Sequence, residues 1–517
     1  MLFEPYVTES YLDFSDDATL DRFRSTVEVV RGQLGRDYPL VIGGERVDTG
    51  DYLVSTDPCR PDRVVGRSAK GRHDEIERAF AAAETAFTAW SKLPMAHRAR
   101  LLVKLAAVMR RRREELAAWE IFEAGKNYLE AIADVAEAID FCEYYARQSL
   151  ELAGPRPSYP FPGEENTSVL TAMGVGVTIP PWNFLLAILV GTTVGPVVVG
   201  NTVILKPSPS TPVIAQKFME CVDEAGFPPG VINLLTGEDA DLGDALVDHP
   251  RTRFINFTGS VATGMRINER AARVQPGQKW LKRVFTEMGG KDALIVDETA
   301  DLAMAADAAV AGAFGFQGQK CSAMSRLIAV EGIYDELLDA FVQRSKALRV
   351  GPAEENADVA AVINRKQYDK ILRYIDSGKQ EARLVLGGSA VGEPEQGLFI
   401  EPTIFAEVPQ SATIACEEIF GPVVSVMKAR DFDHALEIAN ATMYGLTGGI
   451  CSRDRARIER ARSEFQVGNL YVNRKITGSL VGIQPFGGLK MSGTNAKAGG
   501  PDYLRGFMEM RTVTERF

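Results

Sequence analysis

Seven short runs of this chain carry residue types that could do chemistry together. In Gly318-Gln319-Lys320-Cys321-Ser322 a cysteine stands between a lysine and a serine, a polar setting in which a thiol can be reactive. The other five cysteines (Cys59, Cys142, Cys221, Cys416 and Cys451) read as small buried hydrophobes. Thr286-Glu287-Met288-Gly289-Gly290-Lys291 sets a carboxylate beside two glycines, which leave room for a water. Glu287 there could act as a general base, or be a solvated turn residue. Ile179-Pro180-Pro181-Trp182-Asn183-Phe184 ends a predicted strand, where the Asn183 amide could donate to a developing oxyanion or simply occupy a turn after two prolines.

The other four runs read as binding elements. Lys206 and Ser208, in Lys206-Pro207-Ser208, follow a second predicted strand, where a lysine reaches ribose hydroxyls or phosphate, although surface lysines are common. Gly259 and Ser260, with Gly264, open a predicted helix whose N-terminus attracts phosphate. Those glycines stand five apart, which is not a GxGxxG fingerprint, and a structural strand-to-helix turn fits equally. Glu418 and Phe420, in Glu417-Glu418-Ile419-Phe420-Gly421-Pro422, are two residues apart, which in a strand puts both on one face. Gln484 to Gly493 is a Gly-rich run containing Phe486.

These runs need a scaffold, and the periodicity supplies one. From about 168 to 296 short β-rich runs (Val175–Ile179, Thr202–Leu205, Val231–Leu234, Arg253–Phe257, Arg283–Thr286) alternate with helices near 185–198, 211–225, 239–247 and 262–273. Such alternation predicts right-handed βαβ units and a parallel sheet covered on both faces, an α/β fold. A second alternating block, about 287–470, starts with Ala293–Val296 and a helix at 301–316. Ahead of them come polar helical material over 1–37, a hairpin at Tyr38–Val47 turning on Gly43-Gly44, and Ala-rich helices at 73–91, 95–124 and 127–153. A Pro/Gly-rich connection follows, and the chain ends in a predicted strand, Met508–Thr514.

Bulk properties narrow the function class. At 517 residues two or three domains are expected. Hydrophobic residues at 45% and charged residues at 25% suit a folded enzyme, and a net charge of −11 argues against nucleic-acid binding. The basic run Arg110–Arg113 reads as a solvated helix face. Scattered cysteines and four histidines give no zinc spacing and no disulfide framework, so no metal and a reducing, cytoplasmic setting are expected. The N-terminus MLFEPYVTES has no secretory pattern. The apolar run Phe184–Val199 is short for a membrane span and is interrupted by Gly191, Gly195 and Pro196, so it reads as a buried helix leading into a strand.

Taken in order and spacing, the seven runs resemble the aldehyde dehydrogenase superfamily, whose PWNF, KPS, FTGS, E(L/M)GGK, GQxC, EEIFGP and PFGGxKxSG motifs occur in this sequence order. The resemblance covers the chain from Ile42 to its end. It implies a Rossmann-like cofactor domain (38–153 and 168–286) and a second α/β catalytic domain (287–477). An oligomerisation tail (154–167 and 478–517) and a helical extension (1–37) complete the arrangement. It also implies a covalent mechanism. Cys321 attacks an aldehyde, Asn183 and the Cys321 N–H hold the oxyanion, hydride leaves to a nicotinamide cofactor, and Glu287 activates the water that hydrolyses the thioester. Trp182, Lys206, Ser208, Gly259, Ser260, Gly264, Met288, Glu418 and Phe420 are the implied cofactor contacts. NAD is the implied cofactor, with NADP allowed because Pro209 stands where many NAD-specific relatives carry a glutamate that meets the ribose 2′-hydroxyl.

Within the superfamily, Gly318–Ala323, Thr477-Gly478-Ser479 and Met491–Gly500 look like the 1-pyrroline-5-carboxylate dehydrogenases, which oxidise L-glutamate γ-semialdehyde. That closer resemblance implies Ser322, Gly478 and Ser479 on the substrate α-carboxylate, without a buried cation. Phe184 and Phe486 would flank the chain, and Glu137 would meet the α-ammonium, although a glutamate on a long helix is usually just solvated. The alternatives are a hydrolytic dehydrogenase for another small aldehyde, such as a succinate or betaine aldehyde, a CoA-acylating relative, which generally lacks the Glu287 base, and a non-catalytic relative. A homo-oligomer paired through the tail strand is expected, with no nucleic-acid or membrane partner.

Overall fold

The computed structural model describes residues 3–517, so the first two residues of the expected extension lie outside the described residues. Two seven-stranded sheets organise the chain. The first runs, edge to edge, Arg283–Glu287, Phe254–Thr258, Val175–Ile179, Thr202–Leu205, Ile232–Leu234, Leu40–Ile42 and Glu45–Val47. Its first five strands pair parallel, and the hairpin closes the edge antiparallel. Val175–Ile179 and Thr202–Leu205 are buried on both faces, which is why they read as apolar runs without alternation. The helix Ala187–Val198 packs on this sheet and is buried almost all round.

The second sheet runs Arg383–Leu386, Thr403–Ala406, Val423–Ala429, Met324–Val330, Asp292–Val296, Thr447–Cys451 and Asn469–Val472, parallel except for its first strand. In a parallel sheet ligands gather outside the carboxyl ends of the strands. In the first sheet Phe257 stands opposite Ile179 and Thr258 opposite Glu287, so the segments after these three strands leave the sheet side by side. Among the described residues no helix is long and apolar enough to cross a membrane.

Several expectations need correction. Residues 3–16 are extended or turn rather than helical; only Asp17–Arg31 forms a helix, started by the Asp16 side chain accepting from Thr19 N. The preceding stretch instead lies on the core, with Tyr6 donating to Val481 O and Glu9 N donating to Asp140. The helix expected over 95–124 breaks at Arg112 into Met95–Arg111 and Arg113–Ala124. The basic run at this break is ion-paired: Arg110 with Glu9 and Glu143, Arg111 with Glu224, Arg112 with Glu115 and Glu220. The strand Glu164–Ala172 crosses the expected boundary at 167/168, because it pairs antiparallel along the whole of Met508–Arg516. Cys416 is exposed, at the end of the short helix Thr413–Cys416, and not buried.

Buried Asn201, after Gly200 in a left-handed turn (φ 104), fastens the tail to the first sheet. Its Oδ1 accepts from Met173 N (2.8 Å) and Gly174 N (3.0 Å), and its Nδ2 donates to Pro196 O (3.0 Å) and Phe507 O (2.9 Å). Asn201→Ala leaves these backbone groups unpaired away from water and is expected to cost about 2–4 kcal/mol, read as a lowered urea midpoint. A midpoint unchanged from wild type would remove Asn201 from this role.

Candidate active site

The helix Leu302–Phe314 delivers the chain to a tight turn, Gly315–Gly318, where Phe316 (φ 50) and Gln317 (φ 56) take the left-handed conformation that non-glycine residues avoid. Neighbouring backbone holds that strain in place. Gln317 Nε2 donates to Gly125 O (3.0 Å) and Ala361 O (2.9 Å), and Gln319 Oε1 accepts from Ile363 N (2.9 Å). Asn183 Nδ2 donates to Gln319 O at 3.0 Å, which brings the amide after the strand Val175–Ile179 to the loop carrying Cys321.

Cys321 is half-buried and Ser322 is buried. Burial, with Asp292, Glu418 and Glu287 nearby, pushes the Cys321 thiol up. The polar setting read from the sequence is therefore present with the opposite electrostatic sign. The adjacent Lys320 ammonium, which would stabilise a thiolate, is engaged by Glu130 at 2.7 Å.

Glu287 ends its strand against the Gly-rich run. Its Oε2 accepts from Gly488 N at 3.0 Å, while Oε1 is buried without a hydrogen-bond partner. Burial raises this carboxyl to about 8, against the opposing pull of the Gly488 and Ala496 N–H groups and Lys497. A carboxyl with that pKa can exchange a proton near neutral pH.

Two cavities meet at the cysteine. The first, of about 90 Å³, is lined by Glu137, Phe184, Glu287, Ser322, Gly478, Ser479 and Phe486 together with Cys321. It thus gathers every residue expected on the substrate side. Glu137 faces inward rather than to solvent, and burial, with Asp134 nearby, raises its carboxyl to about 8. Gly478 takes φ 76, Ser479 Oγ lies 2.6 Å from Tyr471 Oη, and Arg474 donates to Gly478 O at 3.3 Å. Lys475 lies close to Gly478 too, its pKa lowered by burial. Two cations therefore flank a loop that was expected to work without one.

The second cavity, about 120 Å³, is lined by Trp182, Asn183, Gly259, Ser260, Met288, Glu418 and Phe420, and again by Cys321. The Trp182 and Phe420 rings meet edge-to-face at 5.3 Å. Glu418 and Phe420 do share this cleft, but not by strand alternation. They lie in a loop before Val423–Ala429, and Phe420 has φ 61. Glu418 accepts from Gly290 N at 2.9 Å, and a Cβ on Gly289 would collide with its carboxylate, so that motif needs its glycine for close approach. Ser260 caps the helix Val261–Ala271, which has no acid in its first turn, and a Cβ on Gly264 would strike Met288. A helix N-terminus without an acid in its first turn, a half-buried carboxylate and an aromatic pair fit a dinucleotide.

Lys206 and Ser208 are not among the residues lining this cleft. Lys206 is buried and pairs with Asp239, while Ser208 Oγ accepts from Ser210 N at 3.3 Å. Conversely, Gln367 and Lys370 line the cleft, and Lys370 donates to Glu418 O at 3.1 Å. They come from the amphipathic helix Arg365–Glu381. Phe141, Ile188 and Thr192 line the first cavity from helices whose pattern reads simply as core.

Comparison with known proteins gives three findings. The model of the aldehyde dehydrogenase family matches residues 47–513. The chain is 55% identical over 515 residues to the 1-pyrroline-5-carboxylate dehydrogenase of Geobacillus thermodenitrificans, covering 99% of this chain and 100% of that one. Among solved structures it is similar to the 1-pyrroline-5-carboxylate dehydrogenase from Thermus with bound NAD, at a TM-score of 0.99 and 54% identity, over 100% of both chains. It is also similar to the betaine aldehyde dehydrogenase of Staphylococcus aureus in complex with NAD+, at a TM-score of 0.89 and 28% identity, over 96% of this chain and 97% of that one.

The raised Glu287 carboxyl has a direct spectroscopic consequence. With its pKa raised to about 8, it is expected to be protonated below that pH and ionised above it. An infrared difference between wild type and Glu287→Gln should show a buried protonated carboxyl band at pH 7 that is lost by pH 9. A carboxylate already ionised at pH 6 would contradict the assignment.

Proposed function

The chain belongs to the aldehyde dehydrogenase family, and from that premise we propose that it oxidises L-glutamate γ-semialdehyde, the open form of 1-pyrroline-5-carboxylate, to L-glutamate, the second step of proline catabolism. The carrying observation is that Cys321 forms the common wall of two cavities, one lined by Glu287, Ser322, Gly478 and Ser479, the other by Ser260, Glu418 and Phe420.

Cys321 gives its proton to water, its sulfur bonds to the aldehyde carbon, and the C=O π pair moves onto the oxygen. The oxyanion lies between the Asn183 amide and the Cys321 N–H. Gln319 takes one of the two amide hydrogens and leaves the other free. Donors of this kind are worth about 3 kcal/mol each, because they act on charge that appears only in the transition state. NAD is the cofactor, and the nicotinamide, when bound, supplies the hydride acceptor. Once hydride has left, a thioester remains on Cys321. Glu287 takes a proton from water, the water oxygen attacks the acyl carbon, the C–S bond breaks and the acid leaves. Trp182, Phe420, Ser260, Gly259, Gly264, Met288 and Glu418 hold the cofactor. Lys206 and Ser208, outside the cleft lining, would meet the cofactor at its adenosine end.

Ser322, Gly478 and Ser479 hold the α-carboxylate, Phe184 and Phe486 the chain, and Glu137 the α-ammonium. An ammonium beside Glu137 favours its ionised form, which offsets the burial that otherwise keeps it protonated. A succinate or betaine aldehyde remains the second reading, but neither gives Glu137 a primary ammonium to meet. NADP use extends the reading, since Pro209 puts no carboxylate at the ribose. The tail strand Met508–Arg516, exposed over most of its length, pairs subunits into a homo-oligomer. Six unpaired cysteines suit a cytoplasmic setting, which cell fractionation would test.

Purified protein should reduce NAD, and also NADP, with glutamate semialdehyde, and Cys321→Ala should abolish turnover with cofactor affinity unchanged. Pentanal, which lacks both charged groups, should be a poor substrate, because it leaves the site's donors unpaired. Ser322→Ala should cost about 1–3 kcal/mol in transition-state binding, mainly as a raised KM. Equal kcat/KM for pentanal would leave only the family-level reaction standing, and an NAD preference of many thousandfold would dispose of the NADP extension.

The division of labour between Cys321 and Glu287 is separable in time. Glu287→Gln should keep a stoichiometric burst of NADH and then turn over slowly, because acylation does not need the hydrolytic base. A variant without the burst, its Cys321 still alkylated at the wild-type rate, would show that Glu287 acts earlier.

A further inference from the structure

Below the active site, three ionisable side chains are shut away from water. Lys126 is 1% exposed, and Glu120 and Asp134 are 0% exposed. Lys126 pairs with Asp134 and stands 3.3 Å from Glu120. Glu120 has no hydrogen-bond partner on either carboxyl oxygen, and burial with Asp134 beside it drives its carboxyl far up. A buried ion pair is a poor way to gain stability, since packed apolar residues of the same volume often serve as well or better. What surrounds this one suggests another use.

The Lys126 ammonium lies 5.1 Å from the centre of the Phe184 ring and 5.0 Å from that of Phe316. Phe184 directly follows the oxyanion amide Asn183, and Phe316 opens the left-handed turn that leads to Cys321. The neighbouring Gly125 carbonyl accepts from Gln317 in that same turn. On the other side Asp134 Oδ1 accepts from Ala187 N at 2.7 Å, fixing the start of the helix that follows Phe184. Asp134 also lies one helical turn from Glu137 on Tyr128–Glu151. We propose that the Lys126–Asp134 pair is a positioning device that clamps the Asn183–Phe184 segment to the Cys321 loop, setting the oxyanion amide and the substrate-facing Phe184 ring in register with the nucleophile.

This rests on the aldehyde dehydrogenase reading above, and its test separates the two. Lys126→Met with Asp134→Asn removes both charges at nearly constant volume, so folding is not threatened by one unpaired buried ion. The double variant should melt near wild type and bind NAD within about twofold. Its kcat/KM for the aldehyde should nevertheless fall about 10- to 100-fold, with both kcat reduced and KM raised, the scale expected for a misplaced reacting group. Glu120→Gln, which leaves the Lys126–Asp134 pair in place, should stay within about threefold. If the double variant does not fold, Lys126→Arg carries the test, because its broader fork displaces Phe184 and should raise KM at least about fivefold with NAD affinity unchanged. Wild-type kcat/KM in the double variant, unchanged KM in Lys126→Arg, or a loss matched by equal loss of NAD affinity would overturn the proposal. An inactive wild type would instead fail the functional reading, since these ratios are taken against it.

Discussion

The amide of Asn183 reaches from the carboxyl end of one sheet to the carbonyl of Gln319 in the loop that carries Cys321. Neither sheet alone contains a site. The first presents Asn183, the Ser260 helix start and Glu287 at adjacent strand ends, and the second brings a cysteine on a strained turn. This one hydrogen bond sets where the two meet, and it uses only one of the two amide hydrogens. That explains why so much buried hydrogen bonding surrounds a short turn. Gln317 holds it to the Gly125 and Ala361 carbonyls, Gln319 accepts from Ile363 N, and Lys126 packs against rings on both sides. Regular secondary structure could not offer a thiol, its own N–H and an open face at once.

Burial dictates the protonation states around that turn. Burial raises the carboxyls of Glu287 and Glu137, which line the same cavity, and that of Asp292, which acts on the Cys321 thiol. Several ionised carboxylates beside a thiol would make nucleophile formation harder still. Neutral carboxyls avoid this, and each can ionise when an opposite charge arrives. An α-ammonium at Glu137, or a cationic ring beside Cys321, shifts its neighbour towards the charged form only when bound. The same desolvation that silences the free site strengthens its response to ligands.

Much of this was legible because the chemistry lies in short runs at the ends of helices and strands. Cys321, Glu287, Asn183, Ser260, Glu418 and Phe420 all come from such runs, and the strands themselves stood out as short apolar stretches. The rest was hidden for identifiable reasons. Gln367 and Lys370 sit on an amphipathic helix, where polar residues read as solvent-facing. Glu137 likewise looked solvated, since helix periodicity shows a face but not what the face meets. The sharing of one cleft by Glu418 and Phe420 was expected from strand spacing, yet it comes from a loop with a left-handed Phe420, a geometry that spacing cannot reveal. The strand Glu164–Ala172 escaped notice because its partner lies more than three hundred residues further on.

The electrostatics near Cys321 also explain why sequence adjacency misleads. Lys320 precedes the nucleophile, and adjacency suggests that its charge lowers the thiol. The turn at Phe316 and Gln317 sends Lys320 the other way, to Glu130 on the helix that also carries Asp134 and Glu137. One helix, Tyr128–Glu151, therefore takes the ammonium away from the thiol, pairs the cation that packs on Phe184, and lines the substrate cavity. Three of its six acids stand at 130, 134 and 137, spaced four and three residues apart, which places them along a single face. That stripe would be costly if it served only to hold the fold, and it faces the one region where charge must be arranged rather than excluded.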